Sequence, residues 1–308
     1  MTDERAGRDD ELTPARTVAD TPIETHPGHV TRSKHAARSV WHPLTSSPRD
    51  RERAKAVPDT PQTRSPAYRL AWDDDDFMCS PELRGVRLQL EMNKPAMRLD
   101  EEGIESTVVM FGGARIPEPG KDAWAAKNEV QKRHLEANAK YYAEAREFAA
   151  VCSKHGGEGE FVVVTGGGPG VMEAGNRGAA DVGAKSIGLN IVLPHEQAPN
   201  EYVTPELCFN FHYFAIRKMH FLLRAKAIAV FPGGFGTMDE LFEALTLIQT
   251  GRMERVPFVL FGKAFWARII DFDALAEEGT ISPGDLDLFR FVDTAEEAWG
   301  VIAGHYSL

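Results

Sequence analysis

A chain of 308 residues with 43% hydrophobic side chains can bury a substantial core, and none of its apolar runs reaches the roughly eighteen residues that a bilayer span needs. The net charge of -11 excludes a nucleic-acid backbone as the main partner, because phosphate binding on that scale calls for a basic surface. Three cysteines, Cys79, Cys152 and Cys208, are odd in number and far apart, which excludes a disulfide framework and a zinc ligand set. No apolar stretch of the secretory type stands near residue 1, so the expected location is the cytoplasm.

Residues 1–70 hold eight of the nineteen prolines and four histidines, and their 12 Lys+Arg against 10 Asp+Glu leave -13 on the rest of the chain. A segment of that composition, without apolar periodicity, does not offset its ordering entropy. A disordered N-terminal tail is predicted for 1–70, with a docking arm for a partner or a neighbouring subunit as the alternative. Residues 71–104 are predicted as a short helical lead-in. Its acidic run, Asp73, Asp74, Asp75 and Asp76, reads as a solvated turn, since ligands spaced along one exposed run do not converge on one ion.

From residue 105 to 308 short β-rich runs alternate with longer helical stretches, the pattern of an α/β domain: a doubly wound, mostly parallel sheet with helices on both faces. Strands are predicted at 107–111, 161–165, 186–192, 228–231, 258–261 and 289–292. Helices are predicted at about 122–155, 170–182, 214–225, 238–250, 264–277 and 295–303. Ligands of such sheets bind outside the carboxyl ends of the strands, and three strand exits here are rich in glycine.

The first exit is Phe111-Gly112-Gly113-Ala114-Arg115. The second is Thr165-Gly166-Gly167-Gly168-Pro169-Gly170-Val171-Met172-Glu173, and the third is Phe231-Pro232-Gly233-Gly234-Phe235-Gly236-Thr237-Met238-Asp239-Glu240. Glycines let backbone N–H groups approach a phosphate, and the helix after each loop turns its positive end toward the anion. Any one of these loops alone is equally well explained by a tight turn. Neither a dinucleotide fingerprint nor a P-loop is present: Glu173 stands where the last glycine of the former belongs, and the stretch from Gly178 to Lys185 leads into a strand.

In the third loop Thr237 and Glu240 come at the start of a helix, where the positive helix end is expected to keep Glu240 ionised for work on ribose hydroxyls, water or a cationic sugar ring. The competing reading is a capping box, with Thr237 capping and Glu240 reaching back. Glu243 and Thr246 follow, with Thr246 assigned to the same face. Upstream, Arg217 and Lys218 are adjacent cations in an otherwise apolar helix, and a guanidinium suits phosphate or ribose oxygens. His195 and His220 have no metal-ligand partners at useful spacing and are assigned structural or surface roles.

GGGPGVMEAGNRGA, LPHEQAPN, AIRKM and PGGFGTMDELFE, in that order, strongly resemble the Lonely Guy (LOG) phosphoribohydrolases, especially their longer bacterial branch, over roughly residues 77 to 308. The resemblance implies a modified Rossmann domain that hydrolyses the N-glycosidic bond of a nucleoside 5′-monophosphate. The substrate would be a cytokinin riboside monophosphate or AMP, and the products a free base and ribose 5-phosphate. It implies Arg217 and Glu240 as catalytic residues. Ligand-binding positions would be Gly166, Gly167, Gly168, Gly170, Met172, Glu196, Lys218, Gly233, Gly234, Phe235, Gly236, Thr237 and Thr246. It further implies a homo-oligomer, dimer or hexamer, with no metal and no cofactor. The older family label of lysine decarboxylase finds no support in these residues. The residues leave open a non-catalytic nucleotide or cofactor carrier, which needs the glycines but not the carboxylate. They also leave open an oligomeric scaffold whose tail recruits partners.

Overall fold

Runs such as TVVMF, VVVT and FVLF are continuously apolar, the composition of strands covered on both faces, and every residue in these three is buried. The computed structural model describes residues 46–194 and 198–308. Its strands are β1 (Thr107–Phe111), β2 (Val162–Thr165), β3 (Ser186–Ile191), β4 (Cys208–Phe211), β5 (Ala225–Val230), β6 (Phe258–Phe261) and β7 (Arg290–Val292). They form one sheet in the order β4-β3-β2-β1-β5-β6-β7, every neighbouring pair parallel. The chain therefore winds outward from β1 to β4, returns to β1's other side as β5, and winds outward again. The doubly wound α/β class expected from the sequence is borne out.

The helices are α1 (Ser47–Lys55), α2 (Asp75–Met78), α3 (Arg84–Glu101), α4 (Glu129–Asn138), α5 (Lys140–His155), α6 (Val171–Asp181), α7 (Phe214–Leu222), α8 (Phe235–Gln249), α9 (Lys263–Ile269), α10 (Phe272–Glu277) and α11 (Ala295–Tyr306). Strand alternation divides the core between two faces. Val108 and Met110 of β1, Ala227 and Ala229 of β5, and Val259 and Phe261 of β6 pack with α5, α6 and α11. Val109, Phe111, Ile228, Val230, Phe258 and Leu260 point the other way, against residues of α3, α7, α8, α9 and α10.

Several boundaries differ from the expectation for local reasons. The long helix predicted at 122–155 starts later, where the Asn128 side chain accepts from Gln131 N–H, and is interrupted at Ala139 into α4 and α5. The helix predicted at 264–277 is broken at Ile270, which is extended, and restarts where the Asp271 side chain accepts from Ala274 N–H. The edge strand β4 went unpredicted: CFNF is four residues long and follows a 3-10 turn. In the acidic run, Asp74 caps α2 by accepting from Phe77 N–H. Of the predicted disordered segment, residues 1–45 lie outside the described residues; its described part carries α1 and a 3-10 turn at Pro66–Tyr68.

Helices α5 and α6 approach closely because Gly178 has no side chain; a Cβ there would collide with the Arg146 carbonyl oxygen. Gly178→Ala is expected to destabilise the fold by roughly 1–3 kcal/mol through overpacking. In urea titrations the midpoint should fall with an unchanged slope, and an unshifted midpoint would contradict this packing.

Candidate functional site

Between β1 and β5 the strand order reverses, which opens a crevice at their carboxyl ends. The three glycine-rich loops meet there through backbone contacts. Gly113 N–H donates to the Pro232 carbonyl oxygen at 2.9 Å, and a Cβ at Gly113 would stand 3.0 Å from that oxygen and 3.3 Å from Gly233 Cα. Gly170 has φ +70°, and a Cβ there would lie 2.5 Å from the Gly113 carbonyl oxygen. Val171 N–H donates to that same oxygen at 3.3 Å.

A cavity of about 1110 Å³ lies at this junction. Of the residues expected to bind or act on a ligand, Gly166, Met172, Arg217, Gly233, Gly234, Phe235, Gly236, Thr237 and Glu240 line it. Arg217, in the first turn of α7, donates from Nε to the Leu189 carbonyl oxygen of β3 at 2.7 Å, with its guanidinium 5.1 Å from the centre of the Phe221 ring. Gly166 makes room for this arm: a Cβ at 166 would be 2.7 Å from Arg217 Nη2 and 2.8 Å from Met172 Sδ.

Helix α8 starts at Phe235, with Gly234 as a cap that has no side-chain hydrogen bond. Thr237 is therefore buried within the first turn and Glu240 stands in the second, so the capping-box reading does not hold. Nor does the expectation that the helix end keeps Glu240 ionised. Burial pushes its carboxyl up to about 7; Lys218 and Arg217 pull it down, while Glu243 and Asp239 add to the rise. Desolvation outweighs the neighbouring cations.

The remaining expected residues fall outside the cavity lining. Lys218 Nζ pairs with Asp239 Oδ2 at 2.8 Å and Glu243 Oε2 at 2.9 Å, flanking Glu240 along α8. Burial favours its neutral form, but the hydrogen bonds to Asp239 and Glu243 outweigh that and raise its pKa. The Gly167 and Gly168 carbonyl oxygens accept from Asn200 Nδ2, each at 3.0 Å, so these two glycines and Gly170 hold the loop's shape. Thr246 donates its hydroxyl to the Phe242 carbonyl oxygen at 2.6 Å. Glu196 and His195 lie outside the described residues. His220 is buried and hydrogen-bonds the Glu91 carbonyl oxygen at 3.1 Å, in keeping with a structural role.

The cavity also takes Leu135 and Asn138 from α4 and Phe265 and Ile269 from α9, which the sequence did not single out. Apolar residues at helical spacing read as core, and only the tertiary arrangement turns them toward a cavity. Among the described residues no group of three or more His, Cys, Asp or Glu is placed to hold a metal ion, and no helix is long and apolar enough to cross a membrane.

Residues 172–302 match the family model described as "Possible lysine decarboxylase". Among curated proteins the chain is similar to the cytokinin riboside 5′-monophosphate phosphoribohydrolase LOG3 of Arabidopsis thaliana, 27% identical over 139 residues that make up 44% of this chain and 63% of the relative. It is also similar to the probable cytokinin riboside 5′-monophosphate phosphoribohydrolase LOGL3 of Oryza sativa subsp. japonica, 32% identical over 26% of this chain and 39% of the relative. In both cases the chain spans less than two thirds of the relative's length. The LOG resemblance read from the glycine loops is borne out by these matches. Among solved structures, a molybdenum cofactor binding protein from Rippkaea orientalis aligns at 16% identity with a TM-score of 0.44, covering 66% of this chain and 98% of that one. The molybdenum cofactor carrier protein of Chlamydomonas reinhardtii aligns at 19% identity and 0.41, covering 66% and 99%.

Glu240 also leaves a signature in stability. With its folded-state pKa raised, ionisation opposes folding. The stability of the neutral form is fully present below the ordinary carboxylate range and is lost as pH rises through about 7. Glu240→Gln is expected to melt a few degrees above the parent at pH 8, with the gap closing on acidification toward the ordinary carboxylate range. Thermal melts across this range check it; no gap at pH 8, or one that widens on acidification, would contradict the burial of this carboxyl.

Proposed function

We propose, from the premise that the chain is a relative of the LOG phosphoribohydrolases, that it hydrolyses the N-glycosidic bond of a nucleoside 5′-monophosphate to a free base and ribose 5-phosphate. The observation that carries this reading is the convergence of Arg217 and Glu240 on one cavity with the glycine turn that opens α8. Backbone N–H groups of that turn and the positive end of α8 bind the 5′-phosphate. Binding energy from this remote group orients the ribose over Glu240.

As the bond from C1′ to the base nitrogen lengthens, positive charge develops on the sugar ring. Ionised Glu240 hydrogen-bonds a ribose hydroxyl or takes the proton of the water that attacks C1′, and the bonding electrons leave with the base. Arg217 holds a phosphate or ribose oxygen during this step. Cytokinin riboside monophosphates and AMP are the proposed substrates, the former supported by the activity for which the two similar plant proteins are named. Apolar walls such as Ile191, Phe214 and Phe265 suit a base and its hydrocarbon substituent.

The decarboxylase description of the family model does not suit this cavity. No lysine is among its described lining residues, and an aldimine-forming pyridoxal enzyme requires one. The homo-oligomer implied by the resemblance remains part of the reading: Phe214, Met219, Phe235 and Phe242 are exposed on α7 and α8, and a second copy would cover them.

The test is incubation with AMP, isopentenyladenosine monophosphate, CMP and GMP, measuring free base and ribose 5-phosphate. The value of kcat/KM is expected to fall as pH drops below about 7, where Glu240 takes up its proton. Glu240→Gln should lose that limb and lower kcat by roughly 10²–10⁴-fold. No release from any nucleotide, or full activity in Glu240→Gln, would defeat the reading. A nucleotide bound intact for hours identifies a carrier instead.

A further inference from the structure

The mechanism above leaves one cation of the cavity without a task. Arg115 lines the same cavity as Arg217 and Glu240. It sits two residues after Gly113, whose N–H donates to the Pro232 carbonyl oxygen, so its loop lies against the turn that opens α8. The Arg115 side chain is exposed, and no hydrogen bond, ion pair or ring contact engages it among the described residues. The other cations nearby are engaged: Lys218 by Asp239 and Glu243, and Arg217 by the Leu189 carbonyl oxygen. The cavity lining also includes the acids Asp239 and Glu240, which repel an anion. Beside these acids a dianionic phosphate held by backbone amides and Arg217 keeps excess negative charge, which a second guanidinium fork offsets with two directed donors.

We infer that Arg115 is a second phosphate-binding side chain of the cavity and that it sets the preference for 5′-phosphorylated over unphosphorylated ribosides. The inference rests on the nucleotide reading for the identity of the ligand, yet its central measurement is binding of the product, which needs no turnover. Ribose 5-phosphate is titrated by calorimetry into the full chain and into Arg115→Ala and Arg115→Lys; AMP and adenosine are assayed alongside. Arg115→Ala is expected to bind ribose 5-phosphate about tenfold or more weakly, as loss of a charge-assisted pair implies, and Arg115→Lys to recover part of the loss. The KM for AMP should rise with kcat within about threefold of the parent, because the interaction is made equally in ground and transition states. Adenosine turnover should not change, and the difference in ribose 5-phosphate binding should narrow at high ionic strength.

Parent-like affinity of Arg115→Ala for ribose 5-phosphate, or an equal loss toward adenosine, overturns the inference. Equal melting temperatures of parent and variant exclude a folding defect at this exposed position. Should the parent bind ribose 5-phosphate, Arg115→Ala bind it more weakly and neither release base, the hydrolase reading falls and the role of Arg115 stands. Should the parent hydrolyse AMP and Arg115→Ala match it in affinity and KM, only the role of Arg115 falls. A parent that does not bind ribose 5-phosphate overturns the role of Arg115, and base release alone then decides the hydrolase reading.

Discussion

The hydrogen bond from Gly113 N–H to the Pro232 carbonyl oxygen ties the exits of β1 and β5, the two strands between which the sheet reverses direction. In a doubly wound sheet the chains leaving these strands diverge to opposite faces, and here they run to α5 on one face and α8 on the other. Without a tie, the crevice would be a gap between two independent loops. With it, and with Gly170 set against the Gly113 carbonyl oxygen, three turns form one backbone surface. Gly112, Gly113, Gly166, Gly167, Gly170 and Gly233 stand where a Cβ would strike backbone or a neighbouring side chain, so the requirement there is for close approach as well as conformational freedom, whereas a Cβ at Gly234 or Gly236 would meet open space.

On that surface the chemistry is set by an imbalance of solvation and charge. Glu240 is half-buried beside one arginine, one lysine and two carboxylates; Lys218 and Arg217 pull its pKa down, while Glu243 and Asp239, the partners of Lys218, oppose them. Desolvation then prevails, and the carboxyl titrates near neutrality rather than in the acid range. A group poised there can take a proton from water and return it with little penalty in either direction. The ion-paired Lys218 thus belongs to the electrostatic setting of Glu240, although a cation next to Arg217 in the sequence suggests direct contact with a ligand.

The sequence made the sheet legible because β1, β2 and β6 are apolar on both faces, and only a doubly covered parallel strand has that composition. It made Arg217 and Glu240, the pair proposed to act on the ligand, legible because Arg217 sits in an apolar helix and Glu240 follows a glycine turn. What escaped was set by tertiary context. The frame of α8 was misread by three residues because Thr237 and Glu240 fit a capping box as well as they fit an interior turn; only the geometry of Gly234 decides between them. The ionisation of Glu240 was misjudged because a helix end is local and visible, whereas burial is not. Gly167, Gly168 and Gly170 share the glycine signature of Gly166, yet only Gly166 faces the cavity; spacing does not separate a glycine that contacts a ligand from one that supports the loop.

The two sides of the cavity are built differently, and that difference bears on what the fold can specify. Behind the second loop lies a buried polar chain in which Thr165 Oγ1 donates to Asn176 Oδ1 at 2.7 Å, Asn200 Nδ2 donates to the same oxygen at 2.9 Å, and Asn176 Nδ2 donates to Ser186 Oγ at 3.1 Å. Such a network, with each member satisfied, holds the loop in one shape. Arg115 and Phe235, which also line the cavity, are exposed and take no part in such a network among the described residues. Groups fixed by the network and the backbone tie can recognise what every ribose phosphate shares. On the proposed reading, the apolar walls select among bases and Arg115 between phosphorylated and unphosphorylated ligands, and an exposed side chain such as Arg115 can change without disturbing the core. The glycine motifs that carry the resemblance lie in the loops that meet at the crevice, which is why they point to a reaction class more sharply than to a preferred base.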